Sequence, residues 1–107
     1  MIVDQRILDI EPREIIKGYK ARFLHTDSMT LAFWEIDQGA ELPMHNHIHE
    51  QVVQLLEGEF EMTIDGHTKT HKPGSVLVIP SNVPHSGKAI TACKILDIFN
   101  PVREDYL

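Results

Sequence analysis

The segment Met44-His45-Asn46-His47-Ile48-His49-Glu50-Gln51 sets histidines at alternate positions, in a chain with 7 histidines in all. Alternate side chains of a straight strand share one face. His45 and His47 would then lie about 6–7 Å apart in Cα, close enough for both imidazoles to reach one ion. Gln51 would lie about 13 Å beyond His47 on a straight strand, so it joins only if the chain bends at 48–50. Such a bend turns His49 away, which leaves His49 out of the set. Glu50 is the rival fourth ligand, because a one-residue shift would bring its carboxylate to the ion. Further on, Gly74, Pro80, Asn82 and His85 read as a strand followed by a proline-bounded turn that presents a histidine. Three neutral imidazoles suit Zn, Fe, Co, Ni or Cu rather than Mg or Ca. A glutamine carboxamide would not offset the ion's charge, which leaves it a stronger Lewis acid toward anionic oxygens. His25, His67 and His71 have no partners by spacing and are expected at the solvated surface.

A second chemical feature is a carboxylate in an apolar run, Lys94-Ile95-Leu96-Asp97-Ile98-Phe99-Asn100. By period two, Ile95, Asp97 and Phe99 share one face and Leu96 and Ile98 the other, as in a strand covered on both sides. An unpaired carboxylate there is costly, so Asp97 must be paired, hydrated in a cavity, or raised in pKa. Cys93, the only cysteine, stands in the same apolar run and reads as a small buried hydrophobe.

These residues need a scaffold of short strands. Apolar runs rich in β-branched and aromatic residues recur with turn signals every eight to twelve residues. The expected strands are 20–25, 30–36, 52–57, 60–64, 75–79 and 92–99, with extended segments around 7–10 and 44–48. Asp65-Gly66 is a tight hairpin turn before His67-Thr68-Lys69-Thr70-His71, because its central positions want positive φ. Asp37-Gln38-Gly39, Glu57-Gly58-Glu59 and Lys72-Pro73-Gly74 mark further reversals. Pro12-Arg13-Glu14 opens one helical turn at most. The pattern predicts an all-β sandwich or closed barrel, a single domain over 1–107. A net charge of -6, with no cluster of Lys and Arg, argues against nucleic acid as a partner. The charged amino terminus does not read as a signal peptide, and no stretch is long enough to span a bilayer, so no membrane partner and a cytoplasmic location are expected.

Gly39, five residues, His45-x-His47, three residues, Gln51, six residues and Gly58 resembles the first motif of the cupin family. Gly74-Ser75-Val76-Leu77-Val78-Ile79-Pro80-Ser81-Asn82-Val83-Pro84-His85 resembles the second. Gln51 departs from the commonest pattern, which has glutamate, and Ala89 replaces an asparagine that often follows the second motif. The ending Leu96-Asp97-Ile98-Phe99-Asn100-Pro101-Val102-Arg103-Glu104-Asp105-Tyr106-Leu107 is similar to the terminal signature of the KdgF-type cupins, which also use His-x-His with a glutamine. One departure from many relatives is Val53-Gln54, where they have Gly-Tyr. The resemblance implies a small double-stranded β-helix, or jelly-roll barrel. It also implies one divalent transition metal (Zn, Ni, Fe, Co or Mn) on His45, His47, Gln51 and His85. The implied activity, part of pectin degradation, is metal-dependent ring opening and ketonisation of 4,5-unsaturated uronates to linear keto forms. Asp97 would then be the proton carrier, Phe99 would line the site, and Arg103 would help bind the carboxylate of a small anionic sugar acid. The alternatives are another small-molecule cupin, either a metal-dependent dioxygenase or isomerase, or a non-catalytic sugar-acid-binding protein. By the same analogy a homodimer is expected, with the apolar segment Ile2–Ile10 adding a strand to a partner.

Overall fold

Apolar side chains alternate along most of the strand-like runs, and burying one face of each run requires a second sheet laid against the first. A computed structural model describes residues 2–107 and contains, among them, the strands β1 (Arg13–Ile16), β2 (Tyr19–His25), β3 (Thr30–Ile36), β4 (Glu41–His45), β5 (Glu50–Glu57), β6 (Phe60–Ile64), β7 (His67–His71), β8 (Val76–Ile79), β9 (His85–Ala89) and β10 (Cys93–Asn100). They form an antiparallel six-stranded sheet, ordered β1-β2-β3-β10-β5-β8, and a four-stranded sheet, ordered β4-β9-β6-β7. This is the all-β, jelly-roll arrangement expected from the sequence. The core lies between the sheets, with Trp34 and Ile36 of β3, Val53 and Leu55 of β5, Phe60 and Met62 of β6, and Ile95 and Phe99 of β10 all buried.

The register of β10 decides what surrounds Asp97. Its neighbours across the sheet are Ala32 on β3 and Val53 on β5, and Phe99 stands between Thr30 and Gln51. Asp97 therefore shares the inner face with Gln51 and the aromatic side chains of the core. The expectation that β10 is covered on both faces holds only for the inner one. Leu96 and Ile98 on the outer face are half-buried, and Val76 and Val78 on the edge strand β8 are 59% and 60% exposed.

Several expected elements differ. Residues 7–10 are not extended: Ile7–Asp9 is one 3₁₀ turn, closed by Asp9 N–H to Arg6 O and Ile10 N–H to Ile7 O. Pro12-Arg13-Glu14 opens no helical turn, because the residues from Arg13 onward pair with β2 and satisfy their backbone groups in a ladder. The expected extension over 44–48 ends at His45, where β4 leaves the sheet. Strand β9 was not among the expected runs, and β7 was signalled only as the far arm of the Asp65-Gly66 hairpin. Their residues are polar or small, and what makes them strands is pairing with β6 on both of its edges.

Turn chemistry behaves as local sterics demand. Asp65 and Gly66 sit at φ 49° and 81° in the β6–β7 hairpin. Gly58, between β5 and β6, combines φ +86° with a close approach, since a Cβ there would stand 2.2 Å from Ala92 O. Gly58→Ala is therefore expected to lower the melting temperature by roughly 5–10 °C, measured by thermal unfolding. An unchanged midpoint would show that the turn can relax around a side chain.

Candidate functional site

His45 ends β4 and His85 begins β9, and the two are register partners across the four-stranded sheet. His47 lies in the loop from β4 to β5. That loop is tied to the second histidine-bearing turn by Asn82 N–H donating to His47 O at 2.8 Å. Asn82 reaches this position with φ 64°, a conformation asparagine tolerates better than most residues. A strand end, a strand start and a loop thus converge. The ligand-capable atoms of His45, His47 and His85 all lie within 4.8 Å of one another.

Each ring is aimed by its other nitrogen. Nδ1–H of His45 donates to Pro43 O at 2.8 Å, that of His47 to His49 O at 3.0 Å, and that of His85 to Val83 O at 2.9 Å. A carbonyl only accepts, so Nδ1 carries the proton in each ring and Nε2 presents a lone pair. Such backbone acceptors are what orient imidazoles at metal sites. His85 Nε2 is buried and finds no partner within the protein. Gln51 Oε1 stands 3.1 Å from His47 Nε2. With Nδ1 protonated, both are lone-pair atoms, and two lone pairs at this distance repel unless a cation lies against both. The residues present therefore fit a divalent metal. Burial holds His47 down at about 4, with help from the positive charge of Arg103, and burial also lowers His85. Both rings are neutral near pH 7, as ligation requires.

The bend needed to bring Gln51 in occurs at Ile48 and His49, just before β5. His49 packs beside His47 and Phe99, with ring centroids 5.4 and 6.3 Å away, and stays outside the three-histidine group. Glu50, the rival ligand, is exposed, on the face of β5 opposite to Gln51.

A cavity of about 220 Å³ opens beside this group, and His45, Gln51, His85, Asp97, Phe99 and Arg103 all border it. Asp97 is buried, and its Oδ1 has no hydrogen-bond partner. Burial pushes its pKa up to about 7, against the lowering influence of the Gln51 amide, the Trp34 indole and the Arg103 guanidinium. Trp34 Nε1 faces this region but completes no hydrogen bond of its own. Phe99 lays the edge or face of its ring against His47 at 5.7 Å and carries the Arg103 guanidinium 4.7 Å from its centroid. The rest of the wall is apolar, with Trp34, Phe60, Met62 and Ile95 among the lining residues.

A cupin-domain family model matches residues 32–99. The chain belongs to the cupin family. It is 28% identical over 97 residues to the pectin degradation protein KdgF of Dickeya dadantii (strain 3937), covering 88% of each chain. Among solved structures, an RmlC-like cupin from Shewanella frigidimarina is similar at 31% identity and a TM-score of 0.92, over 96% of this chain and 94% of that one. KdgF from Halomonas sp. is similar at 25% identity and a TM-score of 0.88, over 94% of both. The chain is a KdgF-like small cupin.

Sequence reasoning missed part of the site. Trp34 was signalled only by being the single tryptophan, at an inward position of β3. Asp105 and Tyr106 stood inside the terminal signature with no role attached. Two of the three histidines expected at the solvated surface have partners instead. His71 is buried, with Nδ1 3.0 Å from Ser75 Oγ across the β7–β8 turn, and half-buried His25 places Nδ1 2.8 Å from Thr30 Oγ1. Cys93 is buried, as expected, and burial raises its thiol. Among the described residues no helix is long and apolar enough to cross a membrane.

Two outcomes follow from this geometry. His85→Ala should strongly deplete a bound divalent transition metal at pH 7, read by elemental analysis of dialysed protein, and undiminished metal would break the assignment. The raised carboxyl of Asp97 gives a stability effect of definite sign. The folded state holds a proton that the unfolded chain, near the ordinary value of 3.8, has already released. Metal-free protein therefore loses stability as pH rises from about 4 to about 7, and the full cost persists above that. Asp97→Asn removes the ionisable group, so the metal-free variant should melt higher than its parent at pH 8 by several degrees, with the gap closing by pH 4. A gap that is the same at both pH values would show that Asp97 does not titrate in this range.

Proposed function

We propose that this chain is a metal-dependent cupin enzyme that opens and ketonises a 4,5-unsaturated uronate, giving a linear keto-sugar acid. One observation carries the reading. A buried carboxyl with a free oxygen, Asp97, is held near neutrality in a cavity bordered by a buried guanidinium and by His45 and His85 of the three converging imidazoles. The similarity to KdgF, a pectin degradation protein, supports the substrate class.

The reaction is an isomerisation. The C1 hydroxyl loses its proton as the bond from C1 to the ring oxygen breaks, and C1 becomes a carbonyl. The oxygen left on C5 becomes a second carbonyl as C4 takes up a proton. No oxidant or reductant is consumed. A divalent ion on His45, His47, His85 and the neutral Gln51 would supply Lewis acidity toward negative charge developing on substrate oxygen. It cannot deliver a proton to carbon. Asp97 fills that need, because a group near pH 7 can hold and release a proton under working conditions. Arg103 faces the carboxylate, and Phe99 and Trp34 exclude water from the reacting carbons. Gln51 links both halves of the site, with its oxygen toward His47 and its amide acting on Asp97.

The apolar wall of Trp34, Phe60, Met62 and Ile95 favours a second reading, proton transfer on a small carboxylate bearing fewer hydroxyls than a uronate. Val53, buried beside Asp97, belongs to the same wall, at a position where many KdgF-type relatives have glycine. The two readings separate when metal-loaded protein is given an unsaturated monouronate and the loss of conjugated-alkene absorbance is followed. Turnover supports the first, and its absence passes the site to the second.

On the first reading Asp97→Asn should lower turnover about 10²–10⁴-fold, the usual worth of a general acid or base. Metal content and fold should survive, since the change is nearly isosteric. Near-parental turnover in folded, metal-loaded Asp97→Asn protein would remove Asp97 as the proton carrier.

A further inference from the structure

The guanidinium of Arg103 is held on more sides than a mobile surface arginine would be. Its side chain is 9% exposed, while that of its partner Asp105 is 57% exposed. Asp105 grips it through two parallel bonds, Nε–H to Oδ1 at 2.9 Å and Nη2–H to Oδ2 at 2.7 Å. The rings of Phe99 and Tyr106 stand 4.7 and 4.2 Å from its Cζ. The backbone is fixed as well, because Arg103 N–H donates to the buried Thr30 Oγ1 at 2.9 Å.

A guanidinium has five N–H donors in a rigid planar arrangement that offers two separate forks to carboxylates. Asp105 occupies the side-on fork of Nε and Nη2. The end-on fork of Nη1 and Nη2 remains, in a group that borders the cavity together with Asp97, His45 and His85. The aromatic rings fix the plane of the guanidinium, and Asp105 fixes its rotation within that plane.

We propose that Asp105 is a positioning residue, which holds Arg103 so that its end-on fork receives a substrate carboxylate in the cavity. The inference rests on the reading that the cavity binds a carboxylate-bearing substrate, and it adds the residue that orients the receptor. Asp105 need not touch the substrate. Its carboxylate is 57% exposed, and an asparagine amide oxygen in its place can still accept from the guanidinium, so Asp105→Asn leaves the buried Arg103 partnered and should cost little global stability. Removing it should move substrate affinity far more than melting temperature.

The test compares the metal-loaded parent with Asp105→Asn, Asp105→Glu and Glu104→Gln. Unsaturated galacturonate serves as the turnover substrate, and saturated D-galacturonate and its neutral methyl ester serve as binding probes by calorimetry. Asp105→Asn should raise KM about tenfold with kcat within about twofold of the parent, the signature of lost uniform binding. Galacturonate affinity should fall by a similar factor, and the weaker affinity for the methyl ester should not change. Asp105→Glu, which keeps the carboxylate and has room at the exposed mouth, should restore most of the loss. Glu104→Gln should match the parent, and the melting temperature should be nearly constant across the set. An unchanged or lowered KM in Asp105→Asn would overturn the proposal, the lowered value because it would mean that Asp105 competes with substrate for Arg103. A parent that does not prefer galacturonate to its ester would overturn it as well. If the parent binds galacturonate through Asp105-dependent contacts but does not turn over the unsaturated sugar, the ketonisation reading fails and the positioning role stands. If it turns over and Asp105→Asn is kinetically silent, the reverse holds.

Discussion

Three imidazole lone pairs pointed at one spot repel one another, and the cluster of His45, His47 and His85 persists because each ring is anchored from behind. The anchors are backbone carbonyls of Pro43, His49 and Val83, each accepting an Nδ1–H. Those carbonyls are placed by the pairing of β4 with β9 and by the Asn82 bond to the His47 loop. The two sheets serve this arrangement. They bring a strand end, a strand start and a connecting loop to one place, and hold them there with long-range hydrogen bonds that no local segment could make. A site of this kind is pre-organised, because little conformational freedom remains to be lost when a cation arrives.

Charge in the cavity is balanced by burial as much as by pairing. Histidines that would attract protons in water are held neutral, and a carboxyl that would release its proton is held near pH 7. Arg103 contributes to both effects, lowering His47 and His85 and opposing the rise of Asp97. Its own charge is compensated at the mouth, by Asp105, on the solvent side. The interior can then carry one permanent cation without a buried counter-ion, whose desolvation would be costly. Asp97, its carboxyl raised by burial, stands in the cavity among apolar walls.

The carboxyl terminus closes this arrangement. Arg103, Asp105 and Tyr106 all border the cavity, and Tyr106 packs on Phe23 with ring centroids 4.7 Å apart and on Trp34 at 6.1 Å. Arg13 of β1 donates to Tyr106 O and lies over the Phe23 ring. An edge strand far away in sequence thus anchors the segment that supplies Arg103. The β1–β2 hairpin belongs to the site for that reason, although none of its residues had a chemical role in the sequence.

The sequence by itself determined the features governed by local sterics and spacing. Positive φ at Asp65-Gly66 follows from the turn, the strands over 30–36 and 60–64 follow from alternation, and His45, His47, His85 and Asp97 stood out because their types and intervals are chemically unusual. It also required that Gln51 could approach the histidines only through a bend, and the chain bends at Ile48–His49. Tertiary structure decided the rest. Strands β7 and β9 carry no apolar alternation and exist because β6 offers unpaired backbone on both edges. His71 is buried beside its cross-strand partner Phe60, with Ser75 against its ring, which no interval between histidines could reveal. The fork between Arg103 and Asp105 spans only two residues, yet its meaning depends on Thr30, 73 residues away, which fixes the Arg103 backbone, and on the cavity that other strands build around it. Local sterics are fixed by neighbouring residues, whereas burial and the direction of a side chain's free donors are set by whatever long-range pairing brings against it.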